Sequence, residues 1–507
     1  MTYLNPTTGF IVLGGFAILS VAAAVYLTRN SGESAEDLLV ARESTAVPII
    51  IVSLIATWLW STTLMGAAEG GFNFGFSAVW VYGFSITWSL VLMGPILARI
   101  RQNFPEVSSY PEYVRYRFGD QGKLVHLVFS VVALAQSFFW AVIQVVGAGY
   151  VLNIVFDIPH WQGALLTGLI VTGYVTLGGL RASIFTDFVQ MLAIGVIIAV
   201  LAPWVVTEIG GAGPIYEGVA NAEVNQAHHF VTPEVIVGWL LIGMASVEYT
   251  LINQNVWQRI IATDGTGKER LVLGSSVVLW LAIPASAALI GLVGFTIDYS
   301  GNAATVLPAI MIEVLPVWGA ILFGIAILGA IFSTTDSCLN SFMTIMVSDI
   351  YKPYFGSEEK VRNDKSLVIK TKVVMIVTGV SVAIFGTMEV SLLFFSLAVG
   401  ALAMPLAWPV VLSALRPDFN RTWGAYSVIL GVIGAAIFAF LPVSGIWANP
   451  PFEPWQGYLV PAAFTVLGPI IGTMLYPDTE YTFTDMQNEM RADVQSNRSE
   501  SAVPGDD

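Results

Sequence analysis

Between Gly329 and Tyr351 the chain reads GAIFSTTDSCLNSFMTIMVSDIY, and inside this apolar stretch Ser333, Thr334, Thr335, Asp336 and Ser337 follow one another. Hydroxyl oxygens and a carboxylate are hard ligands, the kind that hard cations take. An Asp at membrane depth costs on the order of 2.5–3.5 kcal/mol on insertion scales, so it faces a bundle interior, a water-filled cavity or an ion. The chemistry these residues fit is the binding of a monovalent cation, Na+ first. The other use of such hydroxyls is to bond back to carbonyls one turn earlier or to join neighbouring helices. Asp187 raises the same question about a turn into a second apolar stretch. Asp187 and Asp336, with Ser337 and Thr63, are expected to form a second cation site or the exit path beneath the first, because a cation between two carboxylates offsets what isolation cannot. The competing arrangement is a protonated Asp hydrogen-bonded to a neighbouring hydroxyl, with no ion.

Such groups must be carried by helices. Of 507 residues 56% are hydrophobic and 11% charged, and the mean hydropathy is +0.75. The chain is therefore expected to be an all-α polytopic membrane protein, since long unbroken apolar runs exclude the alternating pattern of a barrel. About thirteen spans are expected, roughly at 8–28, 46–68, 76–98, 124–156, 160–179, 183–208, 234–256, 270–296, 317–348, 367–386, 389–414, 423–442 and 457–476. Residues 1–477 then form one transmembrane domain, and 478–507 an acidic tail without fixed structure. Gly178 and Gly179 permit a tight turn between the fifth and sixth spans, and Tyr110 to Gly122 reads as a short amphipathic helix at the membrane interface.

All 21 Lys and Arg residues fall in alternate loops or the tail on this division, Arg259 among them. The positive-inside rule then places the N-terminus outside and the C-terminus in the cytoplasm, as for a multi-pass protein of the plasma membrane. The net charge of −14 disfavours a nucleic-acid partner and fits a halophile with a salt-rich interior. The single cysteine, Cys338, cannot form an internal disulfide. His228 and His229 lack Cys or acidic partners at metal spacing. No nucleophile, base and oxyanion grouping points to an enzyme, and none points to a bound cofactor.

Two spans have unusual centres. Ser53 to Gly66 crowds hydroxyl, β-branched and aromatic residues, and Gly243 to Asn255 is small and polar. Helices interrupted near the midplane, one in each of two inverted repeats, free carbonyls for ions and helix ends for solute.

Several motifs resemble the sodium/solute symporter family. The run Ala330, Ser333, Thr334 resembles its ninth transmembrane helix, Thr176 to Gln190 its Gly-Gly, Thr-Asp and Gln pattern, and Asn253 to Arg259 the end of its seventh helix. The resemblance implies a LeuT-like core of five plus five helices, with repeats at about 46–208 and 234–414. It implies a Na+ site made of the Ala56, Leu59 and Ala330 carbonyls with the Ser333 and Thr334 hydroxyls. It places the counterpart of Asp187 on the ion's cytoplasmic path or at a second ion site, to which residues matching Asp336 and Ser337 contribute in some relatives. It also makes Tyr249 the counterpart of an aromatic that closes the solute cavity.

Ala56 to Thr63, Gly75 to Tyr82, Asn255 to Arg259 and Trp280 to Pro284 look most like the family's urea-transporting branch. Trp58, Trp60, Gln136, Phe138 and Trp140 are the candidate lining residues for a small amide. Sugars are disfavoured, because the third span lacks the acid and amides that sugar transporters place there. The alternatives are proline, pantothenate or a carboxylate as solute, and a passive channel or stand-alone sensor as function. Glu69 and Glu248 receive no role.

Overall fold

A computed structural model describes residues 4–28, 45–105, 107, 109–221, 250–264, 267–355, 365–443, 447, 451 and 456–500. Beyond one isolated bridge, the regular structure of the described residues is helical. The helices are α1 (Pro6–Thr28), α2 (Val47–Trp58), α3 (Ala67–Phe74), α4 (Phe76–Asn103), α5 (Tyr110–Arg117), α6 (Gly122–Phe156), α7 (His160–Glu208) and α8 (Ala212–Asn221). They continue as α9 (Gln254–Ala262), α10 (Glu269–Gly291), α11 (Val306–Val314), α12 (Val317–Ile345), α13 (Lys365–Phe385), α14 (Leu392–Leu415), α15 (Arg421–Phe440), α16 (Gln456–Leu475) and α17 (Phe483–Glu500). Among the described residues ten helical stretches are long and apolar enough to cross a membrane, or eleven if α2 and α3 make one bent span. The span expected at 76–98 falls on α4, and most of the one expected at 234–256 lies outside the described residues.

The expected glycine turn is present. Helical hydrogen bonding runs on through α7, but Gly179 has φ 59 and ψ −159, a conformation open essentially to glycine alone. It folds α7 into two spans, 160–180 and 183–208. Gly75 takes nearly the same conformation, φ 69 and ψ −150, and turns α3 into α4.

The second half of the bent span is fitted closely to α10. A methyl group on Gly71 would stand 2.1 Å from the Ala288 carbonyl, and one on Gly291 would stand 2.1 Å from the Ala68 carbonyl. Small residues on both faces let the two backbones touch, which is how membrane helices gain contact where oil offers no hydrophobic drive.

One expectation is sharpened and one is corrected. The short helix expected from Tyr110 is α5, and it is packed into the protein, with Tyr110, Tyr113 and Arg117 fully buried. The Arg117 guanidinium donates to the Ser413 carbonyl at 3.0 Å and the Arg416 carbonyl at 2.9 Å, so it closes the C-terminal end of α14, where a cation is favoured. The tail, expected without structure, forms α17, and Met486 and Met490 on one face are buried. Phe483 packs on Phe104, the Tyr481 hydroxyl donates to the Tyr116 carbonyl at 2.9 Å and Gln487 to the Asn103 carbonyl at 3.0 Å. An acidic composition hid an i, i+4 apolar pair with a prepared seat.

Candidate functional site

Both spans with unusual centres are broken. α2 ends at Trp58; Leu59 has φ −76 and ψ 63; a π-helical turn resumes at Thr62–Gly66. The two halves meet at 62°. Side chains take the carbonyls that the break frees: Thr63 Oγ1 donates to the Trp58 carbonyl at 2.8 Å, and the Trp60 indole N–H donates to the Thr57 carbonyl. In the second span the helix stops at Leu251 and α9 begins at Gln254. Asn253 caps α9, its Oδ1 accepting from the Asn255 N–H at 2.9 Å, and the Trp257 indole donates to the Leu251 carbonyl at 2.7 Å. Irregular backbone at membrane depth is tolerated where protein groups satisfy it or where it lines a cavity.

The two broken spans are tied together at one end. Thr45, before α2, and Thr263, after α9, form a parallel bridge, with the Thr45 N–H donating to the Ala262 carbonyl at 3.0 Å and the Asp264 N–H to the Thr45 carbonyl at 2.9 Å.

The hydroxyl run of α12 lies against the first break. Thr334 Oγ1 donates to the Thr57 carbonyl at 3.2 Å, and Thr57 Oγ1 lies 3.4 Å from Ser337 Oγ. Ala56 and Leu59 flank Thr57 and Trp58, and the Ala56 carbonyl accepts from the Leu59 N–H at 3.1 Å, which leaves it one lone pair. Ala330 stands one turn before Ser333 and Thr334 on α12. Ala56, Leu59, Ala330, Ser333 and Thr334 are all fully buried. These oxygens fit a releasable Na+, being neutral and few, and do not fit Mg2+, which demands a near-octahedral set with carboxylate or phosphate.

The two carboxylates occupy adjoining sites. Asp187 accepts from Ser333 Oγ at 2.5 Å, from Ser53 Oγ at 2.6 Å and from Arg259 Nη2 at 2.8 Å. Asp336 accepts from Tyr174 at 2.8 Å, Ser183 at 2.7 Å and Ser337 at 3.2 Å. Ser337 joins the clusters, since it also accepts from Arg259 Nη2 at 2.6 Å. Thr63 belongs elsewhere, bonded to Trp58 at the break. Arg259, read from sequence as a loop residue, is fully buried on α9. A signal for it existed: an Arg followed by Ile260, Ile261 and Ala262 after a polar cap has to find a carboxylate if that segment is inside the bundle.

Of the expected lining residues, Trp58, Trp60, Gln136 and Trp140 are buried. Trp60 packs on Trp140 with ring centroids 4.2 Å apart, and Trp58 on Trp280 at 5.6 Å. Gln144, one turn beyond Trp140, accepts from the Ser61 N–H at 2.6 Å, and Gly147 makes room, since a methyl there would meet Ser61 Cβ at 2.5 Å. Among the described residues no hydrogen-bond acceptor reaches the buried N–H groups of Trp58, Gln136 and Trp280 or the Gln144 amide nitrogen. Gln144 and Trp280 were not among the expected lining residues. Phe138 points away, packing on Phe139 and on Phe385 of α13. Tyr249, Glu248, His228 and His229 lie outside the described residues. Glu69, which sequence left without a role, is buried on α3 and accepts from Ser391 Oγ at 2.6 Å and the Leu393 N–H at 3.2 Å, the N-terminus of α14.

A family model described as the sodium:solute symporter family matches residues 39–431. Human sodium-coupled monocarboxylate transporter 1 is 25% identical over 474 residues, 85% of this chain and 74% of the relative. The urea active transporter of Saccharomyces cerevisiae is 22% identical over 468 residues, 85% of this chain and 62% of the relative. Among solved structures, a Na+-coupled sialic acid symporter in a substrate-bound outward-open state aligns with a TM-score of 0.74 at 19% identity, covering 94% of this chain and 99% of that one. This likeness shows the fold, the LeuT type expected from the motifs. Because the family match runs through both broken helices and the α12 hydroxyl run, the chain belongs to the sodium:solute symporter family of multi-pass membrane transporters.

Proposed function

We propose that the chain couples Na+ entry to import of urea or a related small amide by alternating access between two inverted repeats, about 46–208 and 234–414. Na+ binds the carbonyls of Ala56, Leu59 and Ala330 and the hydroxyls of Ser333 and Thr334. The observation that carries the solute reading is the set of four buried N–H donors on Trp58, Gln136, Gln144 and Trp280 that meet no acceptor among the described residues. Unpaired buried donors are costly, on the order of 1–3 kcal/mol each, so a solute that brings acceptors is strongly favoured there. All four are neutral. A neutral carbonyl compound satisfies such donors without adding a buried charge that must be offset.

The similarity to a monocarboxylate transporter supports a short carboxylate as the second reading, since carboxylate oxygens also accept. Tyr249 shields the bound solute from the cytoplasm. The transporter sits in the plasma membrane with its N-terminus outside, and an impermeant thiol reagent should label a cysteine placed in 209–232 of a Cys338→Ser chain but not one near Lys360 in intact cells.

Proteoliposomes offered labelled urea, acetamide, proline, pantothenate and short monocarboxylates, with and without an inward Na+ gradient, test the reading. Accumulation of urea or the amide only under the gradient is expected. Carboxylate accumulation with amides ignored would overturn the solute, and equal equilibration without Na+ would mark a passive channel.

A further inference from the structure

The proposed transport cycle gives no role to the buried guanidinium of Arg259. Its Nη2 donates to Asp187 Oδ2 at 2.8 Å and to Ser337 Oγ at 2.6 Å, its Nε to Ser53 Oγ at 3.2 Å and its Nη1 to the Asn255 carbonyl at 3.4 Å. These oxygens come from α2, the second half of α7, α9 and α12. Asp187 with the hydroxyls of Ser53, Ser333 and Ser337 is a carboxylate ringed by neutral oxygens, a donor set suited to a small monovalent cation. The guanidinium already stands on three of those four groups. It carries the same charge as Na+, but it is covalently held and does not leave.

We infer that Arg259 is a tethered cation in the place of a second ion, so that one Na+ accompanies each solute, and that by neutralising Asp187 it keeps the Ser333 site weak enough to release its ion. The inference rests on the sodium reading above. Ser333 spends its single hydrogen on Asp187 at 2.5 Å, which leaves both oxygen lone pairs for Na+. Arg259 holds Asp187, and Asp187 orients Ser333. Without the guanidinium, the Asp187 carboxylate would act on the neighbouring ion through a medium of low dielectric, where a bare charge is felt strongly. Arg259 is thus a positioning residue whose planar fork serves Asp187, Ser337 and Ser53 together, a geometry that a lysine ammonium does not reproduce.

The test counts radiolabelled Na+ against labelled solute entering proteoliposomes of the full-length protein, and measures equilibrium binding of radiolabelled Na+ alone to the same preparation. One Na+ per solute and a Hill coefficient of one are expected. Arg259→Gln should either bind a second Na+ or lower the half-saturating Na+ concentration about tenfold, within the range of ordinary site-to-site coupling. Adding Asp187→Asn to Arg259→Gln should return binding to one weak site. A wild-type ratio of two Na+ per solute overturns the inference and needs no variant to fold. Unchanged Na+ number and affinity in a folded Arg259→Gln protein overturns it as well. Uptake indifferent to Na+ removes the coupling reading and this inference with it, whereas a ratio of two removes this inference alone.

Discussion

Ser333 Oγ lies 2.5 Å from Asp187 Oδ1 and donates to it across 146 positions of sequence. The bond ties a hydroxyl proposed to bind the ion to a carboxylate whose other oxygen carries the Arg259 guanidinium at 2.8 Å. A proposed ion ligand, the carboxylate that orients it and a guanidinium from a third helix therefore meet in one buried cluster.

Asp187 and Arg259 are both fully buried, and leaving either without its partner should be severe. Asp187→Ala and Arg259→Met are each expected to cost about 3–5 kcal/mol, the usual penalty for an orphaned buried charge, while the double substitution costs clearly less than their sum. Thermal unfolding of the purified variants closes this cycle. Additive losses would mean that the two groups do not interact.

Glu69 holds the start of α14 through Ser391 and the Leu393 N–H. Glu69→Gln retains an acceptor and should lose about 1 kcal/mol, in line with a weakened N-terminal cap, while Glu69→Leu loses more. Hydrogen exchange at residues 391–396 should quicken in both, most in the leucine variant. Equal exchange in all three proteins would show that the contact does not hold the helix.

Gly71 and Gly291 interlock α3 with α10, each needing the place a methyl group would take. Alanine at either position should cost roughly 1–3 kcal/mol by overpacking and slow transport, because the second half of the bent span is displaced. Gly274→Ala, on the same α10 but with nothing within 4 Å of an added methyl, is the control and should be silent. Silence at all three would contradict the close approach.

Met486 of α17 is fully buried. Met486→Asp should release the helix from its seat, since burying a carboxylate where an apolar side chain packs is costly. Amides of 483–492 are expected to be protected from exchange in the wild type and to lose that protection in the variant. Rapid exchange in the wild type would contradict the docked tail.

What could be read from sequence followed from local physics. The spans follow apolar length, Gly179 marks its own turn, and hydroxyl and aromatic crowding from Ser53 to Gly66 signals a break that the Thr63 and Trp60 side chains stabilise. Partners that depend on the third dimension were hidden. Asp187 and Asp336 stood out as costly, yet nothing in the chain order shows that Arg259, 72 positions on from Asp187, supplies the cation. Gln144 passed unnoticed because its role is to meet the Ser61 N–H laid bare by the break. Asp336 also draws on Tyr174 and Ser183, which read as ordinary helix residues. The α17 seat was missed because an acidic average conceals two methionines on one face.

Everything proposed for transport depends on Ser333 and Thr334 of α12 binding the coupling ion against the break at Leu59. Na+-dependent solute uptake by the Thr334→Ala and Ser333→Ala proteins in proteoliposomes measures this at the two hydroxyls themselves. The half-saturating Na+ concentration should rise about tenfold or more in each, with solute affinity at saturating Na+ nearly unchanged. A Na+ dependence identical to wild type in both variants would contradict the proposed site.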